Sequence, residues 1–193
     1  TNMLTVNGVR MSKTAGNGFL PRELFTGDHP MLERGYSPMT VRFFMAQSHY
    51  RSTLDFSNDA LQAAEKGYKK LMESLSTLEK LQPSQSSSTE ISDLEEKCYS
   101  AMNDDFNSPV LIAHLFDGVR IINSVNDKKE TINAEDLENL KRVMHTFVFD
   151  VLGLVDETKT MGGSNVIEGL MNLILDIRRS ARESKDWSTS DKI

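Results

Sequence analysis

The stretch SNDALQAAEKGYKKLMESLSTLEK, residues 57–80, decides the fold class of this chain. Its apolar residues recur at alternating steps of three and four, which is typical of a helix packed in a bundle. The residues of this heptad seam are Leu61, Ala64, Tyr68, Leu71, Leu75 and Leu78. Gly67 weakens the helix by about 1 kcal/mol at most. The stretch predicts one long helix with one buried face.

Amphipathic patterns continue towards the C-terminus and predict further helices. After a polar linker at 82–89, we expect helices at about 90–102, from about 108 onwards, and over 133–154. On the helix expected over 133–154, the apolar residues that should face the core are Leu137, Leu140, Met144, Phe147, Val148 and Val151. A last helix, roughly 164–184, is expected to bury Val166, Ile167, Leu170, Leu173, Ile174 and Ile177. The predicted fold is mainly α, with an antiparallel bundle of four or five helices.

The first 56 residues follow a different pattern. The segment TNMLTVNG alternates briefly and ends in Asn7-Gly8, the strongest short signal for a β-hairpin. Short helices are expected over 21–25 and 37–50, the second capped by Ser37. The face expected to be buried on that second helix consists of Val41, Phe44, Met45 and Ser48. We therefore divide the chain into a short hairpin, loop and connecting helices at 1–56, and a helical bundle at 57–193.

Composition narrows the classes of function. The net charge of -6 argues against general affinity for polyanions, although it leaves room for a local basic face. A single cysteine, Cys98, makes neither an intrachain disulfide nor a cysteine-rich metal site, and we interpret it as a small buried residue. No apolar run approaches the roughly 20 residues of a membrane span.

Several polar clusters have a structural interpretation beside a functional one. The four histidines show no metal-ligand spacing, and Asp104 with Asp105 lies before a helix start, where acidic residues are favoured. The run RRSAR, 178–182, is either a solvated helix end or a contact surface for a polyanion. In GVRMSKTAGNGF, 8–19, Arg10 and Lys13 lie among small residues, so this loop is either a solvated connection or a phosphate-binding loop.

A family resemblance favours the phosphate loop. The string RMSKTAGN, 10–17, resembles the second signature loop of class I aminoacyl-tRNA synthetases, Lys-Met-Ser-Lys-Ser, and we call residues 10–14 the signature loop. The segments VRFFMAQSHYRSTLDFS, 41–57, and AMNDDFNSPVLIAHLF, 101–116, resemble stretches of cysteinyl-tRNA synthetases that follow it. The chain departs from the signature at Arg10, which replaces lysine and changes the donor geometry, and at Thr14, which keeps the hydroxyl.

The resemblance implies a role for each part of the chain. Lys13 would be the catalytic lysine that binds the phosphates of ATP, with Arg10, Met11, Ser12 and Thr14 completing the ATP-binding loop. Residues 1–56 would end a catalytic domain, and 57–193 would be an anticodon-side tRNA-binding domain, incomplete at its C-terminus. The nucleotide-binding fold and a zinc site would lie before Thr1, so no metal ligand is expected in this chain.

The activity implied is cytoplasmic ligation of cysteine to tRNA(Cys) with ATP, by a longer enzyme of which this chain is a piece that is inactive alone. No membrane partner is expected. Two alternatives remain open at this point. The chain could be a non-catalytic helical interaction module, or it could belong to a relative that joins cysteine to an acceptor other than tRNA.

Overall fold

A computed structural model describes residues 3–89, 91–157, 163–183 and 186, with only the backbone described for 163–172. The chain forms two compact units, Thr1–Val155 and Asp156–Ile193. The first unit contains a small sheet, six α-helices and a π-helical segment, and the second contains one long helix, within the described residues. The expectation of a mainly α protein is confirmed.

A three-stranded sheet begins the first unit. Strand β1, Met3–Val6, pairs antiparallel with β2, Val9–Arg10, as the Asn-Gly signal predicted. The third strand, β3, Thr53–Phe56, was not predicted from the sequence, and it pairs parallel to β1 with Leu4 opposite Leu54. A strand of four residues offers only two inward positions, here Leu54 and Phe56, too few to separate a strand from a helix end.

Two short helices lie between the strands of the parallel pair. Helix α1 is Pro21–Thr26, and α2 is Pro38–Ala46, where the Ser37 side chain accepts a hydrogen bond from the Thr40 amide. The expected N-cap is confirmed, but the expected face is wrong in one respect. Met45 is 45% exposed, whereas Phe43 is fully buried, so the buried face is rotated from the one we predicted.

Helix α3, Asn58–Leu78, confirms the long helix on which the fold class was predicted. Ser57 caps it through the amide of Ala60. All six residues of the heptad seam are buried. Burial of such side chains contributes about 1.5–3 kcal/mol each, so packing against neighbours rather than intrinsic propensity stabilises α3.

Helix α5, Ser108–Asn126, is the centre of the bundle, because α3, α4 (Leu94–Asn103) and α6 (Ala134–His145) all contact it. Cys98 of α4 is fully buried, as expected. The polar linker at 82–89 is tied to the segment before α6, with the Ser84 amide donating to the Ile132 carbonyl at 2.7 Å and the Ser88 amide donating to the Thr131 carbonyl at 3.0 Å.

The helix expected over 133–154 is interrupted. After α6 the backbone continues as a π-helix, Thr146–Val151, in which the Leu152 amide donates to the Phe147 carbonyl five residues earlier. The wider turn changes which residues face the core. Val151 is 40% exposed, against expectation, while Leu152 and Leu154 are buried. Because a π-turn inserts one residue, the apolar stripe moves by one position after Val148.

Helix α7, Gly163–Glu183, belongs to the second unit and confirms the last predicted helix. Its expected burial is wrong for Leu173, Ile174 and Ile177, which are 56%, 39% and 44% exposed. The side chains of Val166, Ile167 and Leu170 lie outside the described residues. A single helix cannot cover its own apolar stripe, and no other described element lies in this unit.

Candidate functional site: the signature loop

The β1–β2 hairpin positions the start of the signature loop. Asn7 and Gly8 both adopt left-handed conformations, with φ of 51° and 77°, as a two-residue hairpin turn requires. Asp55 of β3 secures this turn, because its Oδ1 accepts hydrogen bonds from the Thr5 hydroxyl at 2.6 Å and from the Gly8 amide at 2.8 Å. The parallel strand that we missed therefore holds the hairpin from which Arg10 emerges.

The signature loop alternates between core and solvent. Met11 is half-buried and packs against the hydrophobic core, whereas Arg10, Ser12, Lys13 and Thr14 are exposed. Within the described ranges, neither Arg10 nor Lys13 forms an ion pair with a carboxylate. The loop therefore presents two cations to solvent without neutralising them, and an anion that approaches this edge meets both.

Asn17, just beyond the signature loop, organises it. Its side chain is only 5% exposed. Its Oδ1 accepts a hydrogen bond from the Ser12 amide at 2.9 Å, and its Nδ2 donates to the Arg10 carbonyl at 3.2 Å. Asn17 was not among the predicted site residues, although asparagine side chains often form hydrogen bonds with the local backbone in turns.

A tight turn completes the loop beyond Ser12. The Ala15 amide donates to Ser12 Oγ at 3.1 Å, and the Gly16 amide donates to the Lys13 carbonyl at 3.2 Å. Gly16 has a φ of 64°, a conformation that glycine adopts without strain. The Lys13 and Thr14 side chains consequently lie at the tip of a compact turn.

The acidic pair at 104–105 lies just before α5 and forms side-chain contacts there. Asp105 accepts a hydrogen bond from the Tyr50 hydroxyl at 2.6 Å and forms an ion pair with Arg51 at 3.1 Å. Asn107 caps α5, because its Oδ1 accepts from the Val110 amide, and its Nδ2 donates to the Asp104 carboxylate at 3.2 Å. Asp105 thus ties the turn after α2 to the turn before α5, while Asp104 contacts the residue that caps this helix.

The described residues do not suit a metal ion. No group of three or more histidine, cysteine, aspartate or glutamate side chains that could hold one occurs among them. Burial, together with the nearby carboxylates of Asp117 and Glu95, raises the pKa of the Cys98 thiol to about 12, which disfavours the thiolate that zinc requires. As for a membrane, no described helix combines the length and the apolar character needed to cross one.

Comparisons with known proteins agree on one family. The model of the class I (C) tRNA synthetase catalytic domain matches residues 1–66, and the DALR domain model matches residues 97–156. All 193 residues match the curated cysteine--tRNA ligase of Parabacteroides distasonis at 54% identity. The ligase of Bacteroides fragilis is 49% identical over the same length, and that of Chlorobaculum tepidum is 34% identical over 198 aligned residues. In each case the chain spans 39% of the relative.

Proposed function

Because the chain belongs to the cysteine--tRNA ligase family, we propose that it serves a ligase that activates cysteine with ATP and transfers it to tRNA(Cys). One observation carries this proposal. The segment that matches the catalytic-domain model contains the signature loop, with Lys13 exposed and free of any ion pair among the described residues. The loop therefore has a cation available for the phosphates of ATP.

The chemistry explains why a lysine is useful there. An oxygen of the cysteine carboxylate attacks the α-phosphorus of ATP and forms cysteinyl adenylate. The bond between the α-phosphorus and the oxygen that bridges it to the β-phosphate breaks, and pyrophosphate leaves with the bonding electrons. Negative charge therefore grows on the leaving phosphates in the transition state. A cation that binds them best at that point lowers the barrier, because it stabilises the transition state more than the bound substrate. Lysine supplies a compact point charge for a phosphate.

The other residues of the signature loop would shape and extend the ATP site. Arg10 would add a second positive charge, whereas Ser12 and Thr14 would offer hydroxyl donors to phosphate oxygens. Met11 would anchor the loop through its packing on the core. Residues 1–56 would then form the end of the catalytic domain. Residues 57–193 would form a tRNA-facing helical domain, so the functional boundary falls inside the first compact unit.

Other regions of the ligase would supply the rest of the active site. The chain spans 39% of the curated relatives described above. We propose that the principal nucleotide fold and the zinc site lie outside these residues, since the described part of the chain holds no suitable donor set. We also propose that the ligase works in the cytoplasm.

Cysteine-dependent exchange of pyrophosphate into ATP tests the proposed activity. We expect the full-length ligase to catalyse this exchange and to charge tRNA(Cys), and the 193-residue chain to catalyse neither. Exchange by the 193-residue chain alone would contradict our assignment of the missing site. Exchange by the full-length protein without charging of tRNA would indicate another cysteine acceptor. A full-length protein inactive in both assays would favour a helical interaction module.

A basic run on α7 is the surface we propose for tRNA. Arg178 and Arg182 are exposed near the end of this helix. Phosphate contacts dominate the affinity of proteins for nucleic acids and make it dependent on salt.

We expect the double change Arg178→Glu and Arg182→Glu to weaken tRNA binding by the full-length ligase and to reduce the salt dependence of that binding, as measured by filter binding. Pyrophosphate exchange without tRNA should stay unchanged, and unaltered affinity at low salt would remove this surface from the proposal.

A further inference from the structure

We propose that Asn17 is a positioning residue of the ATP site and acts through Lys13. This inference rests on the proposed function, because it assigns a role within the same reaction. Asn17 is outside the signature loop, yet it is the buried side chain to which the loop backbone is bound. It would not touch ATP itself, but would fix the conformation from which Lys13 reaches the phosphates.

The two ends of the Asn17 amide bind the backbone on either side of Met11. The Ser12 amide donates to its Oδ1 at 2.9 Å, while its Nδ2 donates to the Arg10 carbonyl at 3.2 Å. A longer contact, 3.5 Å, joins the same Nδ2 to the Val9 carbonyl. This bridge closes the backbone into a ring and holds Met11 towards the core, so the next residues must turn outwards.

The orientation of Lys13 follows from this bridge. Ser12 is bound twice, through its amide to Asn17 and through its Oγ, which accepts from the Ala15 amide. The turn that carries Lys13 is closed by the Gly16 amide. A displacement at Ser12 is therefore passed directly to Lys13, its neighbour in the chain. The Ser12 hydroxyl keeps its own proton, which remains available to a phosphate oxygen.

Two substitutions of Asn17 test the hydrogen bonds that its side chain forms with the loop backbone. Asn17→Ala removes both hydrogen bonds and leaves the Ser12 amide and the Arg10 carbonyl without these partners. Asn17→Asp has nearly the same shape and still accepts from Ser12, but it places a carboxylate oxygen against the Arg10 carbonyl, which repels it. Both variants should loosen the turn, with Asn17→Asp leaving a side chain of native volume in the buried site.

A double-mutant cycle in the full-length ligase tests whether Asn17 acts through Lys13. The four proteins are wild type, Asn17→Ala, Lys13→Ala and the double variant, compared by kcat/KM for ATP in cysteine-dependent pyrophosphate exchange. We expect Asn17→Ala to lower this value roughly 10- to 100-fold, since a misplacement of about 1 Å costs on that order. In the Lys13→Ala background the same change should cost less than about threefold, because coupled residues are not additive.

Asn133→Ala supplies a matched control. Asn133 also binds local polar groups, since its Oδ1 accepts from the Asp136 amide and its Nδ2 donates to the Asp136 carboxylate, but it caps α6 in the bundle. We expect Asn133→Ala to lower the melting temperature without changing exchange. If Asn17→Ala fails to fold, Asn17→Asp replaces it in the cycle.

The outcomes distinguish this inference from the proposed function. An absence of exchange in the wild-type ligase would overturn the proposed function. Normal exchange by Lys13→Ala would overturn the role of the signature loop and, with it, the positioning role of Asn17, but not the ligase activity. A severe loss in Lys13→Ala, combined with an Asn17 effect of equal size in both backgrounds, would overturn only the positioning role. Normal exchange by both Asn17 variants would do the same.

Discussion

Replacing Lys13 with alanine in the full-length ligase should lower the rate of cysteine adenylate formation by about 10²–10³-fold, the usual cost of removing one charge-stabilising group from a transition state. The KM for cysteine should change little, because the loop would contact the departing phosphates rather than the amino acid. Lys13 is exposed and has no carboxylate partner within the described residues. Its removal therefore leaves no buried charge unpaired, and the folded protein should keep its stability.

Two further variants serve as controls for Lys13→Ala. Lys66→Ala removes another exposed lysine, on α3, and should leave pyrophosphate exchange unchanged. Lys13→Arg keeps the positive charge but spreads it over a planar group, so we expect activity between those of wild type and Lys13→Ala. An equal loss in Lys66→Ala would point to a general effect of charge, and full activity in Lys13→Ala would refute the role of the loop. Rates of adenylate formation by rapid quench would separate chemistry from release of product.

Local signals in the sequence predicted most of the fold correctly. The seam of α3 was recognisable because its period of 3.5 residues extends over 18 positions, from Leu61 to Leu78. The Asn7-Gly8 turn was recognisable because its geometry demands left-handed backbone at both positions. Such features depend on neighbouring residues alone, so one sequence is enough to identify them.

The features that were missed depend on residues distant in the chain. Strand β3 exists because it pairs with β1, about 50 residues earlier, and its own four residues carry almost no signal. The π-helix at 146–151 leads to Leu152, whose carbonyl accepts a hydrogen bond from Arg42 Nε at 2.8 Å across 110 positions. Asn17 was missed for another reason. Its contacts are local, but its burial depends on how the hairpin packs.

Phe43 belongs to the buried face of α2 and contacts a helix distant in the chain. Its side chain is fully buried, and its ring lies 6.3 Å from that of Tyr68 on α3, centroid to centroid. We expect Phe43→Ala to lower the free energy of unfolding by about 3–5 kcal/mol, because the loss of contacts adds to the cost of a cavity. Urea denaturation would measure the change. As a control, Phe25→Ala removes a phenylalanine that is 43% exposed and should cost much less.

Gly67 provides a second test of the same contact, because the effect of Gly67→Ala on stability should depend on whether Phe43 is present. A Cβ at position 67 would lie 3.1 Å from Cε1 of Phe43, closer than ordinary van der Waals contact. In the wild type this crowding should cancel the gain of about 1 kcal/mol that alanine brings to a helix interior. In the Phe43→Ala background the crowding is absent and the new methyl group enters the cavity, so Gly67→Ala should stabilise by about 1 kcal/mol or more. Equal effects of Gly67→Ala in both backgrounds would mean that Phe43 does not pack against α3 at this position.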